Sequence, residues 1–127
     1  PPVTKDTLSD LPHLTAFLRE VLRVHAPVPM LARQPRDTNN GATLAGYKIP
    51  PGTRVLIAPW ILQHNPQNYD NPSVFSPSRF LRDPTGGATS PFAFMAFSAG
   101  PRRCVGSVFA ALEARVVAAK LLHRFNF

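Results

Sequence analysis

Proline limits where this chain can form regular structure, because a proline fits neither the interior of a helix nor a paired position in a central strand. Fifteen of the 127 residues are proline, and five of these divide the segment 66–91 into short pieces that also contain Gly86-Gly87. We therefore predict that residues 66–91 form mostly irregular loop, with helical turns at about 60–64. Regular helices are expected on either side of this proline-rich part.

An amphipathic helix is predicted near the start of the chain. Asp10 is the expected N-cap, and Pro12 is tolerated in the first turn. Apolar residues then recur at spacings of three and four, namely Leu14, Phe17, Leu18, Val21 and Leu22. Pro27 and Pro29 end the pattern, because they cannot continue a helix and they favour extended backbone before them.

The middle of the chain predicts a small antiparallel β unit. Asn40-Gly41 and Pro51-Gly52 supply turn residues on either side of 42–49, and a β-branched run follows at 54–58. The expected fold class is therefore mainly α with a small antiparallel β unit.

The last part of the chain has the clearest helical pattern. It is rich in alanine and free of proline, and its apolar residues fall on one side at 100° per residue. These apolar residues are Val105, Val108, Phe109, Leu112, Val116 and Ala119. A long helix is predicted from Val105 onward.

Length and composition narrow the classes of function. The chain is long enough for one small domain, and its longest apolar run is shorter than a membrane span. A single cysteine excludes an internal disulfide and a thiolate zinc cluster. The net charge of +7 is compatible with nucleic acid, an acidic partner or anionic lipid. The basic residues are spread along the chain, however, so we expect no nucleic-acid partner.

The one cysteine, Cys104, lies in the segment FSAGPRRCVG at the start of the predicted last helix. Unpaired backbone N–H groups at a helix start, together with Arg102 and Arg103, favour the thiolate over the thiol. Gly100 can adopt a positive φ in a tight turn, and Gly106 leaves room for a flat group beside the backbone. A soft anionic side chain in this setting suits a metal ligand or a nucleophile. A buried, inert thiol is the alternative.

The same segment matches the pattern F-x-x-G-x-R-x-C-x-G at Phe97, Gly100, Arg102, Cys104 and Gly106. This pattern resembles the haem-binding loop of the cytochrome P450 family. Two further signatures of that family occur upstream in the same order. One is E-x-x-R, at Glu20 and Arg23, and the other is F-x-P-x-R-F at 75–80, where Ser78 replaces the usual glutamate.

Spacing and resemblance give different expectations for Glu20 and Arg23. By spacing alone they form an ion pair on a solvent-facing side of the helix, opposite the apolar residues. The resemblance implies instead that both are buried and interlocked with Arg79 as a structural triad. Such a network specifies geometry more than it adds stability.

The resemblance also implies a cofactor, haem b (iron protoporphyrin IX), with Cys104 as the axial ligand of the iron. Arg33 and Arg102 would each pair with one of the two propionates, although Arg33 could also be a solvated loop residue. The expected cofactor-binding residues are thus Phe97, Gly100, Arg102, Cys104, Gly106 and Arg33. No other catalytic residue is expected in this chain.

The function implied by the resemblance is that of a monooxygenase, which inserts one oxygen atom of O2 into a small hydrophobic substrate, with a fatty acid or similar lipid as one candidate. Electrons would come from a redox partner, such as an NADPH-dependent reductase, on the proximal face. Residues 1–127 would form a partial P450 domain, inactive alone, with the oxygen-activation helix upstream. The parent protein would lie in the endoplasmic reticulum membrane and contact it through a segment outside this chain.

Other functions share some of these features. A haem–thiolate isomerase or dehydratase of the same fold would carry every motif present here. Outside the fold, the alternatives are a non-catalytic basic module that binds nucleic acid and a zinc or thiol protein. Dependence on a reductase separates the first alternative from a monooxygenase.

Overall fold

The computed structural model describes residues 4, 7–8, 10–37 and 39–127. The main helices are α1 (Pro12–Val24), α2 (Pro59–His64), α3 (Arg79–Arg82) and α4 (Ser107–Arg124), and a 3-10 turn spans Gly100–Arg102. The strands are β1 (Leu31–Arg33), β2 (Ala42–Leu44), β3 (Tyr47–Ile49) and β4 (Val55–Ile57). The fold is thus mainly helical with small antiparallel sheets, and the short helix α3 interrupts the predicted loop.

Helix α1 occupies the place predicted from its apolar spacing and ends before Pro27. The predicted N-cap, Asp10, is wrong: the N-cap position belongs to Leu11, and no side chain makes a capping hydrogen bond. Pro12 occupies the first turn and has no N–H group. One of the donors that a cap would satisfy is therefore missing already, which lowers the benefit of a polar N-cap.

The strands form two separate antiparallel pairs. β2 and β3 form a hairpin in which Ala42 faces Ile49 and Leu44 faces Tyr47. Its turn is Ala45-Gly46, where φ is 49° and 84°, so a turn interrupts the 42–49 segment that the sequence predicted to lie between turns. Positive φ at both residues of this turn is typical of two-residue hairpins, because it matches the right-handed twist of the strands. The other pair joins β4 to β1, which the sequence analysis did not predict.

Helix α4 begins at Ser107, so the predicted start at Val105 is two residues early. Cys104 precedes the helix, and Val105 is fully exposed. The predicted apolar side is also exposed at Val108 and Phe109, whereas Ser107 is buried. Helix α4 packs against α1.

Helix α1 is the central element, because α2, α3 and α4 all pack against it. The buried apolar residues are Leu8, Ala16, Tyr69, Phe80 and Ala93. The buried polar or charged residues are Glu20, Arg23, Gln63 and Ser107. The described part of the chain therefore has a core that is polar and charged to an unusual degree.

The glycine pair in the proline-rich segment forms a bend beside Phe80. Gly86 and Gly87 have φ of 73° and 75°, a conformation that other residues rarely adopt. A Cβ atom on Gly86 would lie 2.7 Å from the ring of Phe80, whereas a Cβ atom on Gly87 would meet nothing within 4 Å. The Phe80 ring cannot move freely, since it is buried and packs edge-on against Phe94 at 5.3 Å between centroids.

Gly86→Ala and Gly87→Ala form a matched pair of substitutions. Both impose the cost of positive φ, which we expect to lower the free energy of unfolding by about 1 kcal/mol. Gly86→Ala should cost about 1–3 kcal/mol more, because it also displaces the Phe80 ring. Denaturant unfolding of the two variants measures the difference, and equal losses would contradict this packing argument.

Candidate functional site

The first component of the site is a pair of buried charges on α1. Arg23 donates two hydrogen bonds to Glu20, from Nε to Oε2 at 2.8 Å and from Nη2 to Oε1 at 2.9 Å. Both side chains have no exposed surface. The interpretation from spacing alone, an ion pair on a solvent-facing side, is therefore wrong. The polar side of α1 is covered by the loop before α3 and by α2, so it is buried although its residues are charged.

A third charged residue joins the pair. The side chain of Arg79 donates from Nε to Glu20 Oε1 at 3.2 Å, and the backbone N–H of Ser76 donates to the same oxygen at 2.8 Å. The structure thus brings Glu20, Arg23 and Arg79 together. Ser78, where the sequence departs from the family pattern, is exposed, and its hydroxyl shares a hydrogen bond with that of Ser76 at 2.9 Å. The departure therefore lies outside the network.

Tyr69 supports the network and was missed by the sequence analysis. Its ring lies against the guanidinium groups of Arg23 and Arg79, whose central carbons are 5.4 and 5.9 Å from the ring centroid. Its hydroxyl donates to the carbonyl of Thr85 at 3.2 Å. Burial raises the pKa of Tyr69 to about 12, so the ring stays neutral. No sequence signal distinguishes this tyrosine from a surface residue in a proline-rich loop.

The second component is the cysteine loop. The backbone N–H of Cys104 donates to the carbonyl of Phe97 at 2.9 Å, and that of Arg103 donates to the carbonyl of Gly100 at 3.0 Å. Gly100 has φ of 68°, and Ser98 also has a positive φ, of 63°. Two consecutive tight turns therefore lead from Phe97 to the cysteine and fix its backbone.

The thiol of Cys104 is free and exposed. A Cβ atom on Gly106 would approach its sulfur at 3.9 Å, so glycine leaves the side of the sulfur open there. Gly106 is the N-cap residue of α4. Among the described residues, no three His, Cys, Asp or Glu side chains lie close enough to share a metal ion. A metal held by Cys104 would therefore have to bring its other ligands with it.

Arg33 and Arg102 line one open cavity of about 660 Å³ beside this loop. Arg33 lies on β1 and donates to the hydroxyl of Ser98 at 3.4 Å and to the carbonyl of Ala32 at 2.9 Å. Within the described part of the chain, neither arginine lies within 4.0 Å of a carboxylate. Two cations without a carboxylate partner, near an exposed soft ligand, fit a flat dianionic group that carries a metal. Arg103 lines a different cavity, with Phe97 and Gly100.

The comparisons with known proteins identify the family of the chain. The family model described as "Cytochrome P450" matches residues 2–127. The chain belongs to the cytochrome P450 family. The resemblance of the motifs and the predicted fold class are therefore confirmed.

Individual P450 relatives match nearly the whole chain. Cytochrome P450 4V2 of Rattus norvegicus is 38% identical over 124 residues, 98% of this chain and 23% of the relative. Cytochrome P450 4F2 of Homo sapiens is 43% identical over 122 residues, 95% of this chain and 23% of the relative. (+)-Menthofuran synthase of Mentha piperita is 35% identical over 125 residues, 98% of this chain and 25% of the relative. The chain thus spans about a quarter of their length.

A solved P450 structure shares the fold. The structure of "Retinoic acid bound cyanobacterial CYP120A1" has a TM-score of 0.83 and 32% identity, and the match covers 95% of this chain and 28% of that one. Within the part of this P450 chain that the structure describes, no helix is long and apolar enough to cross a membrane.

Electrostatics make the network of this P450 chain sensitive to acid. Burial alone would raise the pKa of Glu20, but the hydrogen bonds from Arg23 and Ser76 and the charges of Arg23 and Arg79 outweigh it and lower that pKa. When the pKa of a carboxyl is lower in the folded than in the unfolded state, the ionised carboxyl stabilises the fold at pH values above its unfolded-state pKa. This stabilisation is lost as the pH falls through the lower, folded-state pKa.

Glu20→Gln should lower the free energy of unfolding at neutral pH by about 3–5 kcal/mol, because it leaves two arginines without their counter-charge. The difference from the wild type should shrink on acidification, since protonation of Glu20 removes the same charge. Glu113→Gln, on the exposed side of α4, is the control and should have little effect at any pH. Unfolding measured over an acidic pH series tests this, and a difference independent of pH would argue against it.

Proposed function

We propose that this chain is the C-terminal part of a haem–thiolate monooxygenase and that Cys104 is the axial ligand of the haem iron. The observation that carries the proposal is the exposed thiol, which follows two tight turns and precedes α4. A buried cysteine with packing as its only role would not be presented in this way. Membership of the P450 family supports the same assignment.

Haem b fits the residues that surround the thiol. Its two propionates would pair with Arg33 and Arg102, which line the same cavity and have no carboxylate partner in the described residues. Phe97 would flank the sulfur, and Gly106 would leave space for the ring. Gly100 allows the turn that directs Arg102 and Cys104 to one region. When bound, haem supplies the activation of O2 and the transfer of one oxygen atom.

The chain's own contribution is to supply and orient the ligand. The hydrogen bond from the Cys104 N–H to the Phe97 carbonyl fixes the backbone that carries the sulfur. No residue of this chain is proposed to deliver protons to O2.

We propose the remaining partners by analogy with the P450 family. The substrate is a small hydrophobic molecule, with a fatty acid or related lipid as one candidate, and O2 is the co-substrate. Arg103 is exposed next to the cysteine and has no proposed haem contact, so it offers positive charge to an acidic electron donor such as an NADPH-dependent reductase. The proposed location is the endoplasmic reticulum membrane.

Cys104→Ala in the full-length protein tests the axial ligand. The wild type, purified with haem and reduced under carbon monoxide, should give a thiolate-type Soret band, and Cys104→Ala should give none. Ser73→Ala, at an exposed position outside the cysteine loop, is a control that should keep the band. A thiolate-type band in Cys104→Ala would overturn the assignment. Turnover that requires an electron donor identifies a monooxygenase rather than an isomerase.

Arg33→Met and Arg102→Met test the propionate contacts. Each should weaken haem retention by about tenfold or more, because a charge-assisted hydrogen bond in a partly buried site is lost. Arg54→Met removes the same charge from an exposed position outside the cavity and should leave retention unchanged. Transfer of haem to an excess of apomyoglobin measures the retention. Equal transfer rates in all three variants would exclude the proposed pairing.

A further inference from the structure

Gln63 is a buried amide that the site described above does not use. It lies at the end of α2 and has no exposed surface. Its Nε2 donates to the carbonyls of Leu22 at 3.2 Å and Arg23 at 2.9 Å, and its Oε1 accepts from the backbone N–H of Met95 at 2.9 Å. Both donors and one acceptor site of the amide are therefore engaged.

Two of these bonds complete the end of α1. The carbonyls of Leu22 and Arg23 lie in the last turn of α1, where a helix has no partners of its own for them. The backbone carbonyl of Gln63 in turn accepts from Nη1 of Arg23 at 2.7 Å. Gln63 thus ties α2 to the helix that carries the buried charges, through both its side chain and its backbone.

The third bond reaches the cysteine loop. Met95, whose N–H is held by Gln63, accepts a hydrogen bond at its own carbonyl from the N–H of Ser98 at 3.0 Å. The carbonyl of Phe97 belongs to the same peptide group as the Ser98 N–H, so this turn fixes its position. That carbonyl accepts a hydrogen bond from the N–H of Cys104 at 2.9 Å. A continuous series of hydrogen bonds therefore leads from the α1–α2 contact to the backbone of the cysteine.

The segment before this turn is held by isolated backbone hydrogen bonds, such as those from the N–H of Thr89 to the carbonyl of Asn68 at 3.1 Å and from the N–H of Ala93 to the carbonyl of Ser90 at 3.0 Å. Between the end of α3 at Arg82 and the 3-10 turn at Gly100, the chain contains no regular helix or strand. Ala93 is buried and Phe94 packs on Phe80, so side chains hold the segment against the core. A backbone hydrogen bond is still needed to fix the point where the turn begins, and Gln63 supplies it at Met95.

We propose that Gln63 is a positioning residue for the haem ligand: by holding the Met95 N–H, it fixes the turn that sets the position of the Cys104 sulfur. The proposal rests on the proposed function, because it assigns the role of Gln63 through the bond between Cys104 and iron. The role is distinct from stabilisation of α1, which depends on the other two hydrogen bonds of the same side chain.

Substitutions at Gln63 separate the two roles. Gln63→Leu removes all three side-chain bonds. Gln63→Glu, measured at a mildly acidic pH where the buried carboxyl is protonated, keeps an acceptor for the Met95 N–H and only one of the two donors to the α1 carbonyls. Asn68→Leu is the matched control, because the Asn68 amide likewise donates to a helix carbonyl, that of Leu62 in α2 at 2.9 Å, and makes no hydrogen bond to the cysteine loop. If Gln63→Leu yields no folded holoenzyme, Gln63→Asn, which is too short for both contacts, replaces it.

The experiment uses the full-length, haem-loaded protein, reduced under carbon monoxide. The rate at which the thiolate-type band converts to the band of haem without thiolate is followed on mild warming. Gln63→Leu should convert about tenfold faster than wild type, as expected when a buried N–H loses its partner. Gln63→Glu and Asn68→Leu should stay within about twofold of wild type, although both unfold at lower denaturant concentration. Hydrogen exchange of the peptide 92–104 should accelerate only in Gln63→Leu.

The outcomes distinguish this proposal from the proposed function. If Gln63→Leu converts no faster than Asn68→Leu, the positioning role is wrong, and the assignment of Cys104 is unaffected. If Gln63→Glu converts as fast as Gln63→Leu, the positioning role is also wrong, because the faster conversion would then result from the weakened bonds to α1 and not from the lost bond to Met95. If the wild type shows no thiolate-type band, the proposed function fails and this proposal fails with it.

Discussion

The structure depends on one buried carboxylate held between two arginines. Glu20 accepts hydrogen bonds from Arg23, from Arg79 and from the backbone of Ser76, so a single side chain joins the central helix to the loop before α3. An unpaired charge at this depth would cost several kcal/mol, and any arrangement of the loop that lost one partner would therefore be strongly disfavoured. The network therefore selects one geometry for the loop before α3, which it joins to α1 through Ser76 and Arg79.

Hydrogen bonds between neutral groups connect this network to the backbone of the cysteine loop. Arg23 donates to the backbone of Gln63, and Gln63 holds the backbone of Met95 at the entry to the turns before Cys104. No charged residue of the network touches the cysteine loop, so its charges lie apart from the group that would be the metal ligand. Arg102 and Arg103, the arginines next to the cysteine in sequence, are exposed and take no part in the network.

The sequence predicted those parts that local rules govern. Proline positions and apolar spacing gave helix α1 and most of α4, and the motif positions led to the family. Periodicity failed at Glu20 and Arg23, because it assigns charged residues to solvent and cannot see the loop that covers them. It also failed at Ala45-Gly46 and at the pairing of β1 with β4, which depend on contacts between distant segments. Gln63 and Tyr69 carried no motif, since their roles come from tertiary hydrogen bonds and packing.

The proposed cofactor also accounts for the uneven surface around Cys104. A porphyrin is apolar over its ring and anionic at its two propionates, so its site needs apolar surface and cations side by side. Val105 and Val108 are exposed immediately after the cysteine, and Arg102 is exposed immediately before it. Exposed apolar side chains are unfavourable in water, whereas exposed arginines are well hydrated and remain available to pair with an anion. A nucleic acid would use the arginines and leave the valines in water, whereas haem would cover both.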